Sequence, residues 1–217
     1  MRKELVEKME RAGAMAIIRL QDTKNVFLLV EALLKGGVTL VEVSLNTAGA
    51  CDLISQMAVE FRGDLLLGAG TVTDREEAFR VLDAGAQYIV TPVTDIAIIR
   101  VAHEREAPVC MGAFSATEML LAHRNHADII KIFPADTVGP KYIKALKDPF
   151  PSLRLMPTGG ITPENAQEWI CNGASLLGVG GALCDKEAIR TGAFTVITEK
   201  ARRLMDNIEQ ARAGKNV

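Results

Sequence analysis

No run of apolar residues approaches the roughly 20 that a bilayer-crossing helix needs, although 48% of the 217 residues are hydrophobic. An excess of one charge is also lacking. The 25 Lys and Arg against 27 Asp and Glu give a net charge of -2, so no broad basic surface advertises nucleic acid or anionic membrane. The four cysteines, Cys51, Cys110, Cys171 and Cys184, show no C-x-x-C spacing. They indicate neither a disulfide framework nor a zinc cluster, and read as buried, reduced thiols. His103, His123 and His126 fall in or just after helical stretches, none in an H-E-x-x-H pattern, so no metal or other cofactor is expected. Met1 to Arg11 is charged and helix-like rather than an apolar signal segment. A soluble, cytoplasmic protein is the resulting expectation.

What the sequence does have is a repeated alternation. Short β-branched runs at Met15–Leu20, Thr39–Leu45, Leu65–Ala69, Tyr88–Thr91, Pro108–Met111, Asp128–Phe133, Arg154–Pro157 and Leu176–Val179 start 20 to 26 residues apart. Amphipathic stretches such as Asn25–Lys35, Asp74–Ala84 and Pro163–Asn172 separate them. Gly36-Gly37, Gly85 and Gly173 stand where left-handed C-caps turn helices back toward strands. Eight such units predict parallel pairing with right-handed crossovers and a closed (β/α)8 TIM barrel, an α/β fold. An open dinucleotide-binding sheet would want G-x-G-x-x-G after its first strand, where Gln21-Asp22-Thr23 stands instead. Leucine-rich repeats would show L-x-x-L-x-L, which is missing. Met1–Gly13 reads as an extra N-terminal helix and Thr191–Ala213 as the closing helix, in a single domain spanning residues 1–217.

Side chains on a barrel strand alternate between the interior and the helices. In the second strand Val41, Val43 and Leu45 therefore face the helices, and Glu42, Ser44 and Asn46 face inward. In the sixth, Ile130 and Ile132 face out while Ile129, Lys131 and Phe133 face in. A carboxylate and an amine in a barrel interior lose hydration. They are either a structural ion pair or a reactive couple. An amine in a partly desolvated pocket is more readily unprotonated and can attack a carbonyl to form a Schiff base. A carboxylate beside it can then carry protons. Both lie near C-terminal strand ends, where barrel active sites are built.

Two glycine-rich turns follow the last two strands: Thr158-Gly159-Gly160-Ile161-Thr162-Pro163, and Gly178-Val179-Gly180-Gly181-Ala182. Thr162 reads as an N-cap and Pro163 as the first helical residue. Bare amides after strands seven and eight are where barrels often hold phosphate. Thr71 either orients a substrate carboxylate or caps the next helix. Arg19, at the end of strand one, reads as an anion ligand at the barrel mouth. Phe133 is a pocket wall or plain core, and Pro92 and Pro134 end strands. Lys141, Lys144 and Lys147 read as a solvated helix face.

Val41-Glu42-Val43-Ser44-Leu45, Gly68-Ala69-Gly70-Thr71-Val72, Lys131-Ile132-Phe133-Pro134-Ala135 and Pro157-Thr158-Gly159-Gly160-Ile161 stand in this order. They resemble the signature blocks of the KDPG/KHG aldolase family, which acts on 2-keto-3-deoxy-6-phosphogluconate (KDPG) and 4-hydroxy-2-oxoglutarate (KHG). The resemblance implies a metal-independent class I aldolase, typically a homotrimer, that reversibly splits a 2-keto-4-hydroxy acid into pyruvate and an aldehyde. It places the Schiff-base lysine on Lys131 and the acid/base glutamate on Glu42. A pyruvate contact falls on Thr71, the pocket lining on Pro92 and Phe133, and the phosphate loops on Gly159, Gly160, Gly180 and Gly181, with Thr158 heading the first. Two positions depart from the pattern. Asn46 stands where many members carry a carboxylate-binding Arg, a role Arg19 can take, and Glu-x-x-x-Asn also resembles the 2-keto-3-deoxy-6-phosphogalactonate aldolases. Gly181 stands where many members use a Ser against phosphate. The alternatives are a phosphosugar isomerase or epimerase using Glu42 and Lys131 for proton transfer, and a non-enzymatic keto-acid binder.

Overall fold

In the computed structural model, which describes residues 1–214, each of the eight apolar runs becomes a strand. They are β1 Ala14–Ile18, β2 Leu40–Ser44, β3 Leu66–Gly70, β4 Ile89–Val90, β5 Val109–Ala113, β6 Ile129–Ile132, β7 Leu155–Pro157 and β8 Leu177–Val179. All pair in parallel in the order β7-β6-β5-β4-β3-β2-β1-β8. The two ends of this sheet meet: Ser175 N–H donates to the Leu155 carbonyl at 2.8 Å, and Thr158 bridges Gly178. The result is a (β/α)8 barrel. Its helices are α1 Arg2–Ala12, α2 Val26–Lys35, α3 Ala50–Glu60, α4 Arg75–Asp83, α5 Ile96–Glu104, α6 Ala116–Arg124, α7 Pro140–Lys147, α8 Ala166–Cys171, α9 Lys186–Thr191 and α10 Phe194–Ala213. Among the described residues no helix is long and apolar enough to cross a membrane.

Alternation along the strands separates two apolar clusters. Val41, Val43, Ile130 and Ile132 join the larger one, between sheet and helices. The smaller fills the barrel's lower interior with Met15, Leu40, Tyr88, Cys110, Ile129 and Met156. Val6 and Met9 of α1 are buried in that same cluster, so the N-terminal helix plugs the end of the barrel where the strands begin. Above this apolar floor the inward positions turn polar.

Glycine makes that change of character possible. A Cβ at Gly70 would overlap the Glu42 carboxylate, one at Gly68 the Tyr88 ring, and one at Gly178 the Thr158 hydroxyl. The parallel register sets Glu42 beside Gly68, Ser44 beside Gly70 and Lys131 beside Gly112. In a close-packed interior, volume given to a polar side chain must be removed from its neighbour, and here the neighbour loses its whole side chain.

Several local expectations are corrected. Gly37, at φ 90°, is the left-handed residue after α2; Gly36 has φ -88° and instead admits α10, because a Cβ there would overlap Ala201. Thr162 and Pro163 do not open regular helix. Residues 163–165 form a turn held by Asn165, whose Oδ1 accepts the Thr162 N–H at 2.9 Å and whose Nδ2 donates to the Gly160 carbonyl at 2.8 Å. The closing helix, expected from Thr191, begins at Phe194 and runs unbroken to Ala213, preceded by a separate short helix, α9, that ends at Gly192 with φ 76°. Lys147 is not simply solvated: its ammonium donates to the Pro151 and Leu153 carbonyls. Only Cys110 and Cys184 of the four free thiols are buried, and Cys171 is exposed.

Candidate active site

Glu42 and Lys131 project into the barrel above the apolar floor, 1% and 6% exposed. Glu42 Oε2 has no hydrogen-bond partner. Burial pushes the Glu42 carboxyl above its usual range, while the charges of Lys131 and then Arg19 pull it back. Among the described residues no ion pair within 4.0 Å joins Glu42 to Lys131, so the structural-bridge alternative is not realised; the two interact through the field alone. The Lys131 ammonium lies 5.2 Å from the centre of the Phe133 ring, a cation–π contact that suits a weakly hydrated amine.

Phe133 also lines a cavity of about 700 Å³ at the C-terminal mouth of the barrel. Arg19, Thr158, Gly159, Gly160, Gly180 and Gly181 line it too. The strand order sets β1 between β2 and β8, which brings Arg19 between the strand of Glu42 and the second glycine loop. Among the described residues the N–H groups of Gly160, Gly180 and Gly181 take part in none of the turn, loop or cap hydrogen bonds. Thr158 is 5% exposed, and its Oγ1 is a second buried oxygen without a partner. Buried polar atoms are nearly always paired in native proteins; among the described residues the exceptions are one atom each on Glu42, Thr158 and Trp169, the first two of them in the barrel.

Thr71 has φ 60°, a conformation costly for a β-branched residue. Its hydroxyl sits 2.8 Å from Ser44 Oγ. The helix-cap alternative falls, because Asp74 caps α4 by accepting the Glu77 N–H at 2.8 Å. Strain held in place by a buried partner is the pattern expected of a binding residue.

Asn46 and Pro92 do not join the cavity wall. β2 ends at Ser44, so strand alternation no longer governs Asn46, which is exposed in the following turn. Its carbonyl accepts from Gln21 Nε2 at 3.0 Å. Pro92 is half-buried, its backbone set against Gly112, where a Cβ would overlap it.

Three residues to which the sequence reading gave no role support the site. Buried Thr47 straddles Arg19: its hydroxyl donates to the Ile18 carbonyl at 3.1 Å and accepts the Leu20 N–H at 3.4 Å. Buried Thr91 donates to the Val93 carbonyl at 2.6 Å and accepts the Gly112 N–H at 2.8 Å, pinning the Pro92 turn. Ser44 anchors Thr71 and was read only as facing inward. The Thr47–Ile18, Thr91–Gly112 and Ser44–Thr71 contacts cross between strands, so no local motif announces them.

Gly70→Ala tests the packing of this layer. The added methyl would meet the Glu42 carboxylate, so overpacking is expected to cost about 1–3 kcal/mol. Turnover should fall by more than that loss of fold explains, because Glu42 is displaced. Urea unfolding beside steady-state rates on the folded fraction checks both.

The sequence pattern described as KDPG and KHG aldolase matches residues 5–200. An Escherichia coli K12 protein named KHG/KDPG aldolase is 32% identical over 204 residues, covering 93% of this chain and 88% of its own. A 2-dehydro-3-deoxy-6-phosphogalactonate aldolase from the same strain is 37% identical over 155 residues, 71% of this chain and 76% of its own. Among solved structures, a Legionella pneumophila KDPG aldolase with pyruvate captured at low pH as a covalent carbinolamine intermediate superposes with a TM-score of 0.85 at 27% identity, covering 92% of this chain and 97% of that one.

Proposed function

The chain belongs to the KDPG and KHG aldolase family and is a class I aldolase; on that premise we propose that Lys131 forms the Schiff base and Glu42 carries the protons. The substrate we assign is KDPG, cleaved to pyruvate and glyceraldehyde 3-phosphate, with KHG, cleaved to pyruvate and glyoxylate, as the second substrate. The observation that carries this reading is the buried couple itself, an amine and an unpartnered carboxylate in one barrel interior without an ion pair between them.

Lys131 Nζ attacks the C2 carbonyl to give a carbinolamine, and loss of water leaves an iminium. Glu42, through a water, takes the proton of the C4 hydroxyl. The C3–C4 bond breaks, its electrons pass into the iminium to form an enamine, and the aldehyde departs. Protonation at C3 and hydrolysis release pyruvate and return the amine. A carboxyl raised by burial has a pKa nearer working pH, which suits a group that must both take and give a proton. Arg19 and Thr71 hold the keto-acid carboxylate, and Phe133 shapes the pocket. The amides of the loops at Gly159, Gly160, Gly180 and Gly181 take the phosphate, and the Thr158 hydroxyl takes a hydroxyl of the substrate.

Asn46 and the 37% identity over 155 residues favour a second reading, the galactonate epimer of KDPG as substrate, and side-by-side rates with the two epimers decide it. We further infer one domain acting as a cytoplasmic homotrimer, the assembly implied by the family resemblance; sedimentation tests it. The catalytic assignment is tested by incubating the protein with pyruvate and borohydride. A reduced adduct mapping to Lys131 is expected. No adduct on folded protein would remove the assignment and move the reading toward isomerase or binding chemistry.

A further inference from the structure

Four charged side chains line the cavity, Arg19, Asp185, Lys186 and Glu187, and the Glu42–Lys131 couple is not part of its wall. The two acids are already committed. Asp185 accepts the N–H groups of Glu187 and Ala188 at 3.0 and 3.1 Å and pairs with Lys200 at 2.9 Å. Glu187 takes two N–H groups of Arg190. These contacts hold both carboxyls below their ordinary range, chiefly through the Lys200 and Arg190 hydrogen bonds. Neither cation is matched in this way. Among the described residues no carboxylate lies within 4.0 Å of Arg19 or Lys186. The cavity rim thus presents two unspent positive charges beside acids that are neutralised by other partners.

Gly181 lies in the same wall. A Cβ built there meets nothing within 4 Å, and its φ lies outside the left-handed region. No backbone strain or close approach requires glycine at this position, so the loop presents a bare backbone and open space in the wall of the cavity that Lys186 also lines. The amides of the two glycine loops supply donors to an anion but no compensating charge.

We propose that Lys186 is a specificity residue of the aldolase reaction: its ammonium holds the anionic group at the aldehyde end of the substrate, taking over the contact that a hydroxyl at position 181 would make. This rests on the aldolase reading above and adds to it a discriminating side chain from the loop after β8. Lys186 is exposed, so water and salt screen it. Its effect is that of one solvated charge-assisted hydrogen bond, about tenfold in KM rather than a change in chemistry.

The test uses the full chain, with KDPG and unphosphorylated 2-keto-3-deoxygluconate as probes and exchange of the pyruvate methyl protons in D2O as control. Lys186→Gln is expected to raise KM for KDPG about tenfold while kcat, the unphosphorylated probe and the exchange rate stay as in the wild type. Added salt should raise the wild-type KM more steeply than that of the variant. Lys186→Arg should restore the phosphate preference, and Gly181→Ser in the Lys186→Gln background should recover part of it. An unchanged KM ratio between the two probes in Lys186→Gln, with exchange intact, overturns the role of Lys186 alone. Loss of exchange in the wild type overturns the aldolase reading and this proposal with it.

Discussion

Lys131→Met is expected to abolish aldol cleavage, by on the order of 10⁴-fold or more, the scale seen when a covalent nucleophile is removed. Methionine is close to lysine in shape, so the buried site beside Phe133 stays filled. The charge is lost as well as the nucleophile. Lys131 is the first of the two cations that restrain the Glu42 carboxyl, so in the variant that carboxyl rises further and protonates more readily. Lys131→Arg separates the two effects. It keeps a cation near Glu42 but has no free amine, and it should lose borohydride trapping and turnover as completely as methionine does. A residual rate in the arginine variant within about tenfold of the wild type would mean that the lysine acts through its charge, which is the isomerase-like alternative.

Glu42→Gln is expected to lower kcat by about 10²–10⁴-fold, the usual contribution of a positioned acid/base, while a pyruvate adduct on Lys131 can still form slowly. The pH dependence carries a definite sign. Burial raises the carboxyl above its ordinary 4.5, more than Lys131 and Arg19 lower it. The folded state therefore holds this proton at pH values where the unfolded chain has released it. Stability from this group is fully present below the unfolded value and declines as pH rises through the folded one. Glutamine carries no such dependence. The variant should gain melting temperature relative to the wild type at pH 7 and above, about 2–4 °C for each kcal/mol relieved in a chain of this size, and gain nothing near pH 4. Activity runs the other way, since the ionised carboxylate takes the proton. The acid limb of wild-type kcat should lie above the ordinary carboxylate range and vanish in Glu42→Gln. Melting curves and rate profiles from pH 4 to 9 check both, and an acid limb persisting unchanged in the variant would assign that limb to another group.

Much of this architecture was readable from one chain. Each expected strand falls within two residues of an observed one at either end, because β-branched runs bounded by glycine leave little choice. The inward position of Glu42 and Lys131 followed from a two-residue period that strands enforce. The same rule failed at Asn46, since it holds only while the strand lasts and β2 stops at Ser44. The proline-based helix start at Pro163 failed because a side chain three residues from Thr162, that of Asn165, ties the turn first.

The supporting cast was hidden for a different reason. Thr47 matters because β1 ends beside β2, and Lys186 because two nearby acids are neutralised by Lys200 and Arg190. Gly70 matters because the register sets it beside Ser44, where the carboxylate of Glu42 needs room. Periodicity along the chain determined the barrel, the faces of its strands and the two ionisable groups inside it, since each depends on neighbours a few residues apart. Which oxygen was left without a partner, which charge was left unspent and where a missing Cβ opened space were decided by tertiary structure alone, because those are properties of pairs brought together by the closing of the sheet.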